Sequence, residues 1–122
     1  MKTLISAAEL VLQMQSTHPP VLLDCSFDLA DTDAGQRAWQ AAHLPGAFYL
    51  HLDRDLSGPK NGSNGRHPLP ERAVLAAKLG ACGIGPTTPV VAYDAQGGPY
   101  AARAWWLLAW LGHEDVAVLD GG

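Results

Sequence analysis

The sequence predicts an α/β domain with a mostly parallel sheet of about five strands and helices on both faces. Apolar runs alternate with helical segments along the 122 residues, in the order β-α-β-α-β-α-β-α-β. This order is typical of parallel sheets. The runs at 21–23 and 90–92 are uninterrupted, as in strands that are covered on both faces. Hydrophobic residues make up 48% of the chain, which is sufficient for one packed core.

The N-terminal half is expected to supply three strands and two helices. They cover residues 4–5, 7–15, 21–25, 32–42 and 47–49. The start of the first helix has the most specific signal, because Ser6 is followed three residues later by Glu9. This spacing predicts a capping box, in which each side chain bonds the other residue's backbone N–H.

The C-terminal half is expected to supply two helices and two strands. They cover residues 71–79, 87–93, 99–111 and 116–119. Pro70 is expected at the first helical position of the first of these helices, where a missing N–H costs nothing. Residues 53–69 are rich in Gly, Asn, Pro and charge and show no periodicity. Such long loops in compact domains are often functional.

Composition excludes several classes of function. The net charge is −4 and no basic cluster is present, which argues against nucleic-acid and acidic-membrane partners. No run of eighteen apolar residues could span a membrane, and the N-terminus lacks the apolar segment of a signal peptide. We therefore expect a cytoplasmic protein with Cys25 and Cys82 reduced and inert. The five histidines are dispersed, so no metal or other cofactor is expected.

A glycine-rich loop follows the apolar run that ends at Tyr93 and precedes an apolar helix. A loop between a strand end and a helix start suits an anion, because free N–H groups and the helix dipole point toward it. A loop built for a thiolate would begin with Cys, whereas this one begins with Asp94. We interpret Asp94 as a carboxylate that accepts backbone N–H bonds at the helix start.

Four segments carry a resemblance to a known family. They are His-Leu-Pro-Gly-Ala at 43–47, His-Pro-Leu-Pro at 67–70, the loop and tryptophan helix at 93–106, and Val-Leu-Asp-Gly-Gly at 118–122. In this order they resemble the rhodanese superfamily. The similarity is greatest to the N-terminal domain of two-domain thiosulfate and 3-mercaptopyruvate sulfurtransferases. Residues 1–122 then form one rhodanese-like domain of a longer protein.

The resemblance implies that a second, C-terminal domain carries the catalytic Cys at the position that Asp94 occupies here. That cysteine takes sulfur from a small donor, becomes a persulfide and passes the sulfur to an acceptor. Because a carboxylate forms no persulfide, this chain alone is expected to be inactive. The alternative is a stand-alone rhodanese-like domain used for binding or regulation. A phosphatase of the related fold is excluded, since it needs Cys, five residues and then Arg, which Asp94 and Arg103 do not provide.

The same resemblance points to auxiliary residues in the irregular loop. It implies that His67 carries a proton for the partner domain's reaction and that Asp53 orients it, with Asp55 as a competing candidate. Arg66, next to His67, is a weaker candidate for binding substrate. The alternative for His67 is a surface histidine beside Pro68.

The helix at 100–111 is apolar around most of its circumference. Its one charge, Arg103, is expected to pair with a carboxylate from Asp94, Asp24 or the partner domain. Trp106 and Trp110 share one stripe by their i, i+4 spacing. A helix this apolar is expected to be covered by the sheet on one side and by a helix or the second domain on the other.

Overall fold

A computed structural model describes residues 4–58 and 68–120 of the chain. This part forms five strands and four helices in the predicted order. They are β1 (Leu4–Ile5), α1 (Ala7–Met14), β2 (Val21–Asp24), α2 (Ala34–Ala41), β3 (Phe48–Tyr49), α3 (Arg72–Ala81), β4 (Val90–Tyr93), α4 (Pro99–Trp110) and β5 (Val116–Leu119).

The five strands form one all-parallel sheet in the order β1-β5-β4-β2-β3. Strands β4 and β2 are neighbours, and Asp24 at the end of β2 pairs with both Tyr93 of β4 and Tyr49 of β3. Because all strands run in one direction, the loops that follow them meet at one edge of the sheet. We call this edge, formed by the residues after β2, β3 and β4, the carboxyl edge.

Both faces of the sheet are covered, as the uninterrupted apolar strands predict. On one face, Leu23 and Ala92 pack into a core that contains Leu75 of α3 and Leu107 of α4. On the other face, Leu22, Val91 and Leu119 pack in a second core with Leu10 of α1. Neighbouring residues of one strand thus face opposite cores, which is the alternation that a pleated strand imposes.

The predicted capping box is present at the start of α1. The Ser6 hydroxyl accepts from the Glu9 N–H at 3.1 Å, and the Glu9 carboxylate accepts from the Ser6 N–H at 3.2 Å. The predicted start of α3 at Pro70 is wrong. Glu71 has extended backbone with ψ 135°, so the helix begins at Arg72 and Pro70 lies outside it.

The starts of two further elements shift by two or three residues because local turns compete with the regular elements. The strand predicted from residue 87 begins at Val90, since the Thr88 N–H and hydroxyl both bond Gly85 in a turn. The helix predicted from residue 32 begins at Ala34, because the Asp31 side chain and carbonyl bond the N–H groups of Asp33 and Ala34.

One face of α4 stays in contact with solvent in the described part of the chain. Trp106 and Trp110 share one stripe as their spacing predicts; their rings stack with centroids 6.1 Å apart, and Trp106 is 47% exposed. The Arg72 guanidinium lies 4.3 Å from the centre of the Trp110 ring. Trp105 points elsewhere and donates its indole N–H to the Val116 carbonyl at 3.1 Å.

No helix among the described residues combines the length and the apolar character needed to cross a bilayer.

Helix α2 packs against the loop after β2 so closely that Gly35 is required. A Cβ at Gly35 would lie 1.9 Å from the Ser26 carbonyl oxygen and 2.7 Å from the Tyr49 hydroxyl. We expect Gly35→Ala to lower the free energy of unfolding by about 2–3 kcal/mol, because backbone atoms have to move apart. Gly80→Ala is the matched control, since nothing lies within 4 Å of that position, and it should stabilise α3. Urea unfolding measures both, and equal midpoints would contradict the tight packing.

Candidate functional site

The carboxyl edge is centred on the Asp94 loop, residues 94–98, which follows β4. Asp94 is 1% exposed. Its Oδ1 accepts from the N–H groups of Gln96 and Gly98 at 2.9 and 2.8 Å. Its Oδ2 accepts from those of Tyr100 and Ala101 at 3.0 and 2.9 Å. The interpretation from the sequence, a carboxylate that accepts backbone N–H bonds at a helix start, is therefore confirmed.

Local sequence explains why the donors converge. Gly97 and Gly98 have φ of 90° and 110°, a region that side chains other than glycine rarely adopt. Pro99 follows at the first position of α4, where it fixes φ and has no N–H to satisfy. The positive end of the helix dipole adds to the field on the Asp94 carboxylate.

The Asp94 loop is therefore an anion cradle that holds a side chain of its own chain. An external anion could reach the four N–H groups only by displacing the carboxylate. Nor does the position supply a sulfur nucleophile, because a carboxylate oxygen occupies it. The loop has the geometry of an anion-binding loop, but a carboxylate of the same chain already occupies its N–H groups and no nucleophilic sulfur is present there.

Ser26, in the loop after β2, bonds both the Asp94 loop and the end of β3. The Ser26 hydroxyl accepts from the Ala95 N–H at 3.0 Å, and its N–H donates to the Asp24 carboxylate at 2.9 Å. Its carbonyl accepts from the Tyr49 hydroxyl at 2.8 Å. Ser26 thus links the loop after β2 to the Asp94 loop and to the end of β3.

A cavity of about 190 Å³ lies beside this loop, between the ends of β2 and β4 and helix α2, with Asp24 and Tyr93 in its lining. Burial raises the pKa of Tyr93 to about 12, so the phenol stays protonated at neutral pH. Its oxygen accepts from the Leu44 N–H at 3.2 Å. His43 also lines the cavity, but its ring stacks on Trp39 at 4.6 Å and its Nδ1 lies 2.6 Å from the Trp39 carbonyl oxygen.

His51, which the sequence analysis did not single out, organises the turn after β3. It is 3% exposed, and its Nδ1 lies 3.1 and 3.2 Å from the N–H groups of Asp53 and Arg54. Its Nε2 lies 2.7 Å from the Thr32 carbonyl oxygen, and its own N–H donates to the Asp55 carboxylate at 2.7 Å. One sequence signal could have indicated this role. It is a histidine at the start of an aspartate-rich turn, shortly after a strand.

The two candidate aspartates of this turn differ in their surroundings. Asp55 accepts the His51 N–H and forms an ion pair with Lys78, with N and O 3.3 Å apart. Asp53 is half-buried and lies on the same turn, so it belongs to the same edge of the sheet as Asp94. Asp55 therefore has a structural task that ties the turn to α3.

The described bonds of Arg103 go to carbonyl and hydroxyl oxygens and not to Asp94 or Asp24, while an acid of the partner domain stays a prediction. Its Nε donates to the Leu56 carbonyl at 3.0 Å, and its Nη2 lies 3.3 Å from the Pro68 carbonyl oxygen and 3.4 Å from the Ser57 hydroxyl. The described bonds do not reach Asp94, whose oxygens already accept four N–H groups. Burial lowers the pKa of Arg103 from its ordinary value, and the carbonyl dipoles help to hold the charge.

Arg103 thereby joins the two chain segments that border residues 59–67. The Gly58 N–H also donates to the Pro68 carbonyl at 2.8 Å, which brings these segments together. Arg66 and His67, two of the candidate residues, lie outside the described residues. Pro68, which directly follows His67, is held against the first turns of α4.

Neither cysteine has the environment of a nucleophile. Both are free thiols. Burial, with the nearby charges of Asp24 and Asp94, raises the pKa of Cys25 well above its ordinary value, and burial also raises the pKa of Cys82. Because the thiolate is the reactive form, both groups are less reactive than an exposed cysteine at neutral pH. Across residues 4–58 and 68–120, no three His, Cys, Asp or Glu side chains converge as metal ligands would.

Comparisons with known proteins give this arrangement a family. The profile of the rhodanese-like domain matches residues 6–122. A Pseudomonas aeruginosa protein named "Probable 3-mercaptopyruvate sulfurtransferase" is 49% identical over an alignment of 122 positions, which covers 98% of this chain and 42% of the relative. Thiosulfate/3-mercaptopyruvate sulfurtransferase 2 of Arabidopsis thaliana is 40% identical over 103 residues, 83% of this chain and 29% of the relative.

Among solved structures, the 3-mercaptopyruvate sulfurtransferase from Leishmania major matches with a TM-score of 0.88 and 30% identity. The match covers 99% of this chain and 33% of that one. The chain thus spans less than half the length of the curated relatives it matches. By sequence and by fold, it belongs to the rhodanese-like domain family and corresponds to the N-terminal domain of two-domain 3-mercaptopyruvate and thiosulfate sulfurtransferases.

Proposed function

We propose that this chain is the non-catalytic half of a sulfurtransferase. The whole protein would move sulfur from thiosulfate or 3-mercaptopyruvate to a thiophilic acceptor through a persulfide on a cysteine of the second domain. The observation that carries the proposal is the Asp94 carboxylate, which fills the anion cradle with four backbone N–H bonds. A loop committed to an internal carboxylate has no place for a persulfide.

The chemistry defines what a helper domain could supply. Attack of a cysteine thiolate on the sulfur of 3-mercaptopyruvate forms an S–S bond and breaks the C–S bond. The electron pair leaves on carbon as the enolate of pyruvate, which takes up a proton. With thiosulfate, sulfite leaves with the electron pair and needs no proton on carbon. A proton carrier therefore matters most for the mercaptopyruvate reaction.

In this proposal His67 is the proton carrier and Asp53 orients it, while Arg66 contacts the anionic donor. The fixed turn that carries Asp53 supports the assignment, as does the engagement of Asp55 with Lys78. Arg103 also supports the assignment, because it bonds the carbonyl of Pro68, the residue that follows His67 in the sequence. Asp53 thus lies on a turn that hydrogen bonds fix, and His67 is the sequence neighbour of Pro68, which Arg103 binds.

The first test is the activity of the chain alone. With thiosulfate or 3-mercaptopyruvate as donor and cyanide as acceptor, we expect thiocyanate formation no faster than in a blank without protein. Cys25→Ser and Cys82→Ser are the controls. Turnover well above the blank that either substitution abolishes would make that cysteine catalytic and overturn the proposal.

The second test uses the full-length sulfurtransferase that contains this domain. Thiocyanate formation should depend on the cysteine that begins the corresponding loop of its second domain. A full-length protein that forms no persulfide with either donor, as seen by intact mass, would also overturn the proposal. A stand-alone rhodanese-like domain for binding or regulation would then be the better assignment.

A further inference from the structure

We propose that His51 is a positioning residue for sulfur transfer, because it fixes the turn from which Asp53 extends. This inference rests on the proposed role of Asp53 in the full-length enzyme. It stands on the geometry of a buried ring whose two nitrogens are both used. The ring Nδ1 faces the Asp53 and Arg54 N–H groups, and the ring Nε2 faces the Thr32 carbonyl.

These contacts allow only one form of the ring. Nδ1 faces two N–H donors, so it must present its lone pair. Nε2 faces a carbonyl oxygen and must therefore carry the proton, which makes the ring the neutral Nε2–H tautomer. The rings of Phe27 and Tyr49 make edge-to-face contacts with the His51 ring, at centroid distances of 5.3 and 6.3 Å, and fill the space around it. The ring is held in one tautomer and one orientation.

The bonds from Nδ1 serve the turn itself. Side-chain acceptors that bond N–H groups two and three residues later usually come from Asp, Asn, Ser or Thr. Here the acceptor is the His51 imidazole. The His51 carbonyl also accepts from the Asp55 N–H at 2.8 Å and from the Leu56 N–H at 3.1 Å. The direction in which Asp53 leaves the backbone is thus set by His51.

The bond from Nε2 adds something that a shorter side chain lacks. It ties the turn to Thr32, which lies 19 residues earlier in the segment that leads into α2. Two carboxylates face the same residue: Asp33 Oδ1 is 3.9 Å from Nε2, and Asp55 accepts the backbone N–H. His51 therefore fixes both the shape of the turn and its place on the carboxyl edge.

Two isosteric variants separate positioning from packing. In His51→Asn the amide oxygen can take the place of Nδ1 and accept the Asp53 and Arg54 N–H groups. In His51→Gln the amide nitrogen can reach toward Thr32, but no acceptor remains for the turn. In the full-length sulfurtransferase we expect His51→Gln to lower kcat with 3-mercaptopyruvate by about 10- to 100-fold, with a smaller change in KM. His51→Asn should recover most of this loss.

A second measurement does not depend on activity. In the chain itself, the ¹⁵N shifts of His51 should report a protonated Nε2 and an unprotonated Nδ1. Amide hydrogen exchange at Asp53 and Arg54 should be slow in the wild type and in His51→Asn, and faster in His51→Gln. If His51→Gln does not fold, the ring tautomer and the amide exchange in the wild type and in His51→Asn still test whether His51 fixes the turn.

The outcomes distinguish this inference from the function on which it rests. Asp53→Asn with unchanged turnover would overturn the proposed role of Asp53, and the role of His51 in catalysis with it. Loss of turnover in Asp53→Asn together with normal kcat in His51→Gln would overturn the positioning role alone. Equal losses of stability and kcat in both His51 variants, or an Nδ1-protonated ring, would reduce His51 to a packing residue.

Discussion

Asp94→Ala is expected to lower the free energy of unfolding by about 3–4 kcal/mol. The substitution removes the acceptor of four N–H groups, two of which belong to the first turn of α4. Each buried donor left without a partner costs roughly 1–3 kcal/mol, and water that enters the vacated cradle recovers part of the sum. The loss should exceed that of a single cap, which is about 1 kcal/mol.

Urea unfolding followed by tryptophan fluorescence measures the difference. Asp28→Ala is the matched control, because the Asp28 carboxylate accepts one N–H, from Ala30 at 2.8 Å, in an exposed turn. It should cost no more than about 1 kcal/mol. Formate is expected to stabilise Asp94→Ala and not the wild type, because it can occupy the empty cradle. Equal midpoints for the two alanine variants would show that the loop holds its shape without the carboxylate.

The sequence predicted those features that are encoded over a few neighbouring residues. Uninterrupted apolar runs such as 21–23 indicate strands buried on both faces, and the structure confirms them. The capping box at Ser6 and the shared stripe of Trp106 and Trp110 follow from fixed helical spacings. The role of Asp94 was also predictable, since all four of its donors lie within the next seven residues.

Contacts between distant segments could not be predicted in the same way. Arg103 was expected to find a carboxylate, but its described partners include the Leu56 and Pro68 carbonyls, 47 and 35 residues away. Because every residue has a backbone carbonyl, the sequence does not indicate which carbonyl will accept a hydrogen bond from a distant side chain. The role of His51 was missed for the same reason, because its partner is the backbone carbonyl of Thr32, 19 residues earlier in the chain.

His67→Ala in the full-length sulfurtransferase is expected to lower turnover of 3-mercaptopyruvate by about 10²- to 10⁴-fold, the usual loss for one general acid–base group. Turnover of thiosulfate should fall much less, since sulfite leaves without a proton on carbon. Stability should change by no more than about 0.5 kcal/mol, the usual range for substitutions that create no cavity and break no buried bond. Steady-state kinetics with both donors and a thermal melting curve provide the measurement.

His18→Ala is the control for this experiment, because His18 is an exposed histidine between α1 and β2, outside the carboxyl edge. It should change neither kinetics nor melting. If His67→Ala behaves like His18→Ala, His67 is a surface residue beside Pro68 and the proton must come from elsewhere. If both donors lose equally, His67 acts on a step that they share, such as transfer from the persulfide to the acceptor. Only a loss concentrated on 3-mercaptopyruvate places the proton where the enolate needs it.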